Sequence, residues 1–421
     1  MKALISRSNI KGKVTVPPSK SYTIRGLVCA ALSRGESEII NPLGSGDTEA
    51  CQDVLGEVGV SVSQHKNSWK VIGGDFHQSE KDLFCRESAA TLRFMTAICS
   101  LIPGQSCLTS APSLSRRPVE PLIRALKQLG VDCRYQEKEA CIIVNGSKLK
   151  GGATELPGNI SSQFVSALLF ISPFAEKGMS IRLTTPLESQ SFVLMTLECL
   201  KQFGIKVKSS ENLREYEISK QAYIPTKYRV EGDWSSASYL LTLGALCGEV
   251  EVKNLNPDSL QGDKVILEFL KEMGALVNIG KNSVTVKRSG LKAIQADLTD
   301  CIDLLPTMAV LAAVAEGISE FTGIERARLK ESDRPSVVKE GLQRMGIKIV
   351  EEKNRLVVVG GPMVNTAIDS RGDHRIAMAF SLLGFYSDGV TINNAECVSK
   401  TYPVFWDIMK RIGGEVKIDE Q

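Results

Sequence analysis

One turn, in which an amphipathic helix ends on a glycine and an alternating strand follows, recurs six times and constrains the fold more than anything else in the chain. The segments are VLGEVGVSV, ALKQLGVDC, CLKQFGIKV, FLKEMGALV, GLQRMGIKI and IMKRIGGEV. Glycine is the residue expected at a left-handed helix C-cap, because it has no Cβ to clash. The six glycines are Gly59, Gly130, Gly204, Gly274, Gly346 and Gly413, separated by 71, 74, 70, 72 and 67 residues. A second series lies between them, in which a polar loop opens a helix of small apolar residues. It comprises SKSYTIRGLVCAAL, RESAATLRFMTAI, SSQFVSALLFI, SSASYLLTLGAL, DLLPTMAVLAAVA and DHRIAMAFSLLG. Counted from Ser21, Ser88, Ser162, Ser236, Asp303 and Asp373, these starts are 67, 74, 74, 67 and 70 residues apart. Two independent features with one period make the chain six copies of a single unit.

Each copy then holds two helices and several strands, which is an α/β (α+β) arrangement. One helix is apolar nearly all round and is expected to be buried, while the other is amphipathic and is expected to cover a sheet. Six copies in 421 residues exceed one core and divide into two halves of three. The first dozen residues read as a strand expected to pair with the C-terminal half. That gives domains of 1–14 plus 229–421 and of 15–228, with hinge crossings near 13–18 and 227–233. A cleft between such halves is where a small ligand is expected to bind.

Composition excludes several classes. A formal net charge of +3 is too small for a general nucleic-acid or membrane binder, so any basic site is local. Eleven cysteines are scattered without CxxC pairs, many of them in apolar surroundings such as Cys29, Cys99, Cys199 and Cys247. That usage fits a reducing, cytoplasmic setting better than a disulfide framework. Three histidines, none paired at ligand spacing, predict no metal site. The N-terminus, MKALISRSNIKG, lacks the apolar core of a signal peptide, and no apolar run approaches a membrane span.

The candidate chemistry sits at helix starts. Amphipathic helices are expected to open on Arg116-Arg117-Pro118, Ser189-Gln190-Ser191, Lys330 to Pro335, and Ser399-Lys400-Thr401. The buried helices open on Lys20-Ser21, Ser161-Ser162-Gln163 and Asp373-His374-Arg375. A helix N-terminus presents free N–H groups and a partial positive charge that favour phosphate and carboxylate, and cationic side chains there add to both. Taken singly, each start has a plainer reading. Ser or Asp there is usually an N-cap, and Ser235 to Ser238 is assigned to that class. The run Arg326 to Pro335, by itself, reads as a solvated face, and His374 as a structural hydrogen-bonding residue. Recurrence at equivalent positions is what points to a substrate with several negative charges. Two acidic residues stand within this basic set. Asp303 precedes an apolar helix, a poor place for an unused carboxylate. Glu331 lies between Lys330 and Arg334, where cations keep a carboxylate ionised and able to accept protons.

Seven segments occur in the order found in the enolpyruvyl transferase family, and the chain resembles that family over essentially its whole length. They are PPSKSYTIR (17–25), RRP (116–118), SSQF (161–164), EGDWSSASY (231–239), RLKESDR (328–334), DHRIAM (373–378) and SKTYP (399–403). The resemblance implies two domains, each of three βαβαββ units arranged as an inside-out α/β barrel. It implies transfer of the enolpyruvyl group of phosphoenolpyruvate to the 5-hydroxyl of shikimate 3-phosphate, without cofactor or metal, by a monomer. Carried over by position, Lys20, Ser21, Arg25, Ser161, Ser162, Gln163, Ser189, Asp303 and Lys330 would hold shikimate 3-phosphate. Lys20, Ala89, Arg93, Arg117, Gln163, Lys330, Arg334, Arg375 and Lys400 would hold phosphoenolpyruvate or its phosphate. Asp303 would take the proton of the attacking hydroxyl, and Glu331 or Lys20 would protonate the methylene carbon.

Three positions depart from the family pattern. Ala89 stands where glycine is usual, which implies weaker binding of the family's inhibitor glyphosate. Phe192 replaces a frequent tyrosine, and Arg326 a frequent asparagine. The nearest alternative is the sister enzyme acting on UDP-N-acetylglucosamine, but that enzyme carries a cysteine in the loop where this chain reads Ser110 to Ser115. RNA-terminal phosphate cyclase, built from related units, would require a nucleophilic histidine. A non-catalytic anion-binding protein would have no use for Lys20, Asp303 and Glu331 together.

Overall fold

The repeat found in the sequence is realised as six four-stranded sheets, which a computed structural model describes over residues 1–420. In the fifth repeat, strand Gln295–Asp297 runs parallel to Ile318–Thr322. That strand pairs antiparallel with Arg355–Val359, which pairs antiparallel with Lys348–Glu351. The apolar helix Leu305–Val314 links the two parallel strands, and the amphipathic helix Arg334–Arg344 leads into the hairpin. All six sheets share this order and these directions.

Three strands are exchanged along the chain to complete the set. Lys2–Ser6 occupies the middle of the last sheet, antiparallel to both Val390–Asn393 and Glu415–Asp419. Ile10–Thr15 is the parallel edge of the fourth sheet, beside Gly248–Lys253. Lys227–Arg229 returns to the first sheet, parallel to Gly35–Ile40. The first dozen residues are therefore two strands in two sheets, where the sequence reading gave one.

The chain forms two compact units, Met1–Pro17 with Glu231–Gln421, and Pro18–Val230. The boundaries fall at 17/18 and 230/231, not at 14/15 and 228/229. Two backbone contacts explain the difference. Val16 extends the second strand by donating to Lys253 O, and Val230 donates to Ile40 O, which keeps Arg229 with the first sheet. Each unit has its own apolar core with no residue in common.

The apolar helices are as buried as their composition demands. In Leu305–Val314 every residue but Val314 is buried, and in His374–Tyr386 every residue but Tyr386. The helices Trp234–Cys247, Leu305–Val314 and His374–Tyr386 pack on one another in the split unit. The six predicted cap glycines have φ between +83° and +102°. A further glycine series has a different cause. A Cβ on Gly73, Gly146 or Gly360 would lie 2.3, 2.0 or 1.7 Å from a carbonyl oxygen of Ala31, Ile102 or Ala315. The hairpin backbone runs against the end of the buried helix there, and no side chain fits.

Candidate active site

The true N-caps of the buried helices are more regular than the starts read from the sequence. They are Ser19, Ser88, Ser161, Asp233 and Asp373, with Asp303 in the 3-10 turn that leads into Leu305–Val314. In chain order, with Asp303 fifth, they are 69, 73, 72, 70 and 70 residues apart. The caps differ by unit. Serine caps satisfy an N–H without cancelling the positive helix end, whereas a carboxylate cancels it. The continuous unit has the serines and the split unit has the carboxylates.

In the continuous unit the predicted residues gather around those serine-capped ends. Lys20 Nζ is 3.0 Å from Asp47 Oδ2. Arg25 spends three of its five N–H donors within the unit: Nε donates to Thr196 Oγ1 at 2.9 Å, and its two terminal nitrogens to Ser21 O and Phe192 O, each at 3.0 Å. Its guanidinium also lies over the Phe192 ring at 5.8 Å, so the residue that departs from the family pattern packs on a cation. Arg93 donates to Ser161 Oγ at 3.1 Å, Gln163 Oε1 at 2.7 Å and Pro118 O at 3.2 Å. That last bond ties Arg93 to the loop carrying half-buried Arg117. Ser162 is buried in the first turn of its helix. Ser189 is buried with φ 53° and ψ 50°, a left-handed conformation unusual for a non-glycine residue. Ala89 is the first residue of helix Ala89–Ile98, and its methyl is half-buried.

In the split unit the predicted residues form one dense ion network. Asp303 Oδ1 meets Arg334 at 2.7 Å and Lys330 at 3.2 Å, and its Oδ2 meets Arg375 at 3.1 Å. Arg334 also donates to Glu331 Oε2 at 2.7 Å and to Asp373 Oδ2 at 2.8 Å. Lys400 Nζ lies 3.6 Å from Glu331 Oε1. Four cations thus face three carboxylates. Burial opposes charge on Asp303, but Arg375, Lys330 and Arg334 outweigh it and hold the carboxyl well below its ordinary range. Burial also lowers Lys330, to about 8, against the pull of Asp303. Arg334 is 1% exposed, yet its carboxylate partners keep it charged despite burial.

Some predicted roles change place. Lys330 and Lys400 stand in 3-10 turns, Glu325–Leu329 with its cap and Ala395–Lys400, not at the starts of the helices that follow. Arg328, inside the conspicuous charge run, points away from the network. It binds Asp333, Ser336 and Glu351 and fastens the run to the neighbouring hairpin. Arg326 donates to Thr299 O at 2.8 Å. Ser235 is not the cap of its helix, since Asp233 holds that position, and its hydroxyl instead donates to Asp263 and receives Arg375 at 3.4 Å. Asp47, Asp263 and the Arg334 contact of Asp373 had no local signal in the sequence. A cavity of about 1010 Å³ in the split unit lies among Arg7, Leu246, Arg288, Val314 and Tyr386, at the C-terminal ends of the buried helices, away from this network.

Comparison with known proteins bears on what such a network serves. The family described as EPSP synthase (3-phosphoshikimate 1-carboxyvinyltransferase) matches residues 5–409. The chain belongs to the EPSP synthase family. A 3-phosphoshikimate 1-carboxyvinyltransferase of Dehalococcoides mccartyi is 47% identical over 421 residues, covering both chains completely. One of Methanococcus maripaludis is 38% identical over 419 residues, covering 97% of this chain and 98% of its own. The EPSP synthase structure from Acinetobacter baumannii superposes with a TM-score of 0.83 at 26% identity, over 99% of this chain and 100% of that one. Relatives named in this way are transferases, and as a member of the EPSP synthase family this chain is one. Among the described residues no helix is long and apolar enough to cross a membrane, and no group of His, Cys, Asp and Glu could hold a metal ion.

Proposed function

We propose that the chain transfers the enolpyruvyl group of phosphoenolpyruvate to the 5-hydroxyl of shikimate 3-phosphate, releasing phosphate. The observation that supports this reading is the Asp303 network, in which Asp303, a second carboxylate and four cations share one set of contacts. In this reading Lys20, Ser21, Arg25, Ser161, Ser162, Gln163 and Ser189 hold shikimate 3-phosphate, with Asp303 and Lys330. Arg93, Arg117, Arg334, Arg375 and Lys400 hold the phosphoenolpyruvate carboxylate and phosphate, and Ala89 borders them.

The reaction follows by addition and elimination. Glu331 or Lys20 delivers a proton to C3, and the cationic centre that develops at C2 is stabilised by the neighbouring carboxylates. The 5-hydroxyl oxygen bonds to C2 as its proton passes to Asp303. Phosphate then leaves C2 while a proton returns from C3 to the residue that delivered it, which restores the vinyl group. Asp303 is a weak base while three cations hold it, and anionic substrates that draw those cations away raise its basicity when the hydroxyl arrives. Eleven unbridged thiols, nine of them buried, support placement in the reducing cytoplasm. The test is phosphate release from a mixture of the two substrates. Release supports the reading, and release only when UDP-N-acetylglucosamine replaces shikimate 3-phosphate overturns it.

A further inference from the structure

Three hydroxyls follow the cap of helix Trp234–Cys247, and they are not equivalent. Ser236 donates to Asp233 at 2.9 Å and Ser238 to Ser235 O at 2.7 Å, so both are spent on their own helix. Ser235 has its backbone N–H satisfied by Asp233 Oδ1 at 3.2 Å, and its hydroxyl points elsewhere. It gives its only proton to Asp263, which leaves its lone pairs to accept from Arg375. Arg375 Nη2 is then shared between Ser235 Oγ at 3.4 Å and Asp303 Oδ2 at 3.1 Å. Asp263 is 5% exposed on the turn Gly262–Val265. A carboxylate that buried is costly unless its charge is used.

We propose that Ser235 and Asp263 are positioning residues that keep Arg375 aimed at the phosphoenolpyruvate anion while Asp303 is protonated. The inference rests on the reading that Arg375 takes that anion and Asp303 the hydroxyl proton. Once Asp303 is neutral its hold on the guanidinium weakens, and the Ser235 hydroxyl, oriented by Asp263, remains. The groups facing Asp263 are Arg375 from helix His374–Tyr386, Asp303 and Cys301 from the turn before Leu305, and Asp233 and Ser235 from the start of Trp234–Cys247. Burial raises Asp263 to about 7, against the pull of Arg375, so its charge changes near neutral pH.

The sign of one substitution separates positioning from simple charge. A bare carboxylate near an anion site repels the anion, so if Asp263 acted only as charge, Asp263→Asn would strengthen phosphoenolpyruvate use. If it positions Arg375, the same change weakens it. Phosphate release is measured from pH 5.5 to 9 for the wild-type protein, Ser235→Ala, Ser235→Thr and Asp263→Asn, with thermal melts of each. For Ser235→Ala, kcat/KM for phosphoenolpyruvate is expected to fall about tenfold, as for a lost charge-assisted hydrogen bond, with KM for shikimate 3-phosphate unchanged. Ser235→Thr, which restores the hydroxyl, recovers most of that loss. The wild-type profile falls as pH drops through about 7, and Asp263→Asn lacks that step; substrate ionisation is common to all four proteins and cancels in their ratios. If Asp263→Asn does not fold, the alanine and threonine pair at Ser235 decides. Wild-type turnover with Ser235→Ala unaltered, or with Asp263→Asn improved for phosphoenolpyruvate, overturns the inference alone. A wild-type protein that releases no phosphate overturns the proposed reaction and this inference with it.

Discussion

Asp303 has two oxygens and three cations on them, and that imbalance shapes what its removal does. Asp303→Asn keeps the shape and removes the charge, so Arg334, Arg375 and Lys330 face incoming anions unopposed. Turnover is expected to fall by about 10²–10⁴-fold, the usual worth of a positioned general base, while phosphoenolpyruvate binding measured by calorimetry holds or tightens. Loss of binding in parallel with turnover would show that Asp303 organises the site and does not act as its base. Lys330 gives a prediction with two signs. As an anion clamp it works only while charged, so affinity for shikimate 3-phosphate is present below about pH 8 and is lost as pH rises through it. Lys330→Arg, whose charge persists, removes that alkaline limb. Stability runs the other way. Between about 8 and the ordinary value of 10.5 the unfolded chain keeps a proton that the folded protein has released, so this residue's contribution to stability rises with pH across that window. Chemical denaturation at pH 7.5 and 10, compared between the wild-type protein and Lys330→Arg, isolates it. At this scale the sequence showed the cations and the two carboxylates, because unusual residues at repeated helix starts are a local signal. It did not show Asp263, Asp47 or the second role of Asp373, whose partners lie 28, 27 and 39 residues away in sequence.

Helix ends were legible for the same local reason, and turns without a recurring pattern were not. The cap glycines stood out because a left-handed residue between a helix and a strand admits little else. The residues after Lys330 and Lys400 have helix-start composition, but each lysine closes a 3-10 turn that ends several residues before its helix begins. Gly73, Gly146 and Gly360 escaped notice since the need for glycine comes from a helix end remote in sequence. That need can be tested with two adjacent residues. Gly360→Ala places a methyl 1.7 Å from Ala315 O, and the strand ending at Val359 must shift to admit it. We expect a loss of about 3 kcal/mol, at the upper end of overpacking costs, and a melting temperature lower by several degrees. Gly361→Ala has nothing within 4 Å of its new methyl and should melt within about 1 °C of the wild-type protein, as surface substitutions usually do. Equal melts would show that the hairpin yields freely at this point.

The exchange of strands between repeats makes the order of the chain separable from the order of the fold. The sequence showed six units and two halves, because period and length are global properties of the chain. It placed an N-terminal strand with the C-terminal half but could not show that residues 2–6 lie in the middle of the last sheet, since that strand has the composition of any other. Lys2 and Asp419 are partners across an antiparallel ladder, which puts their Cα atoms about 5 Å apart. The two ends of the split unit can therefore be joined by a short glycine-serine linker without straining the sheet. A permuted chain that begins at Pro18 and finishes at Pro17 would read the continuous unit first. The split unit would follow as one uninterrupted segment, with its core residues and both N-terminal strands in place. Every strand pairing survives, because the only bond cut lies between Pro17 and Pro18, outside any strand, and the Pro17 oxygen that accepts from Asp233 N–H at 2.9 Å becomes part of the new C-terminal carboxylate. The permutant is expected to show the same far-ultraviolet circular dichroism and to melt within about 5 °C of the parent, the change that about 1–2 kcal/mol produces in units of this size. Its turnover is the sharper measurement, since Lys20 becomes the third residue of the permuted chain and loses one covalent restraint. Full stability with reduced kcat would mean that the crossing at 17/18 holds Lys20 in place. Failure to fold would mean that strand exchange between the chain ends depends on the native order of synthesis.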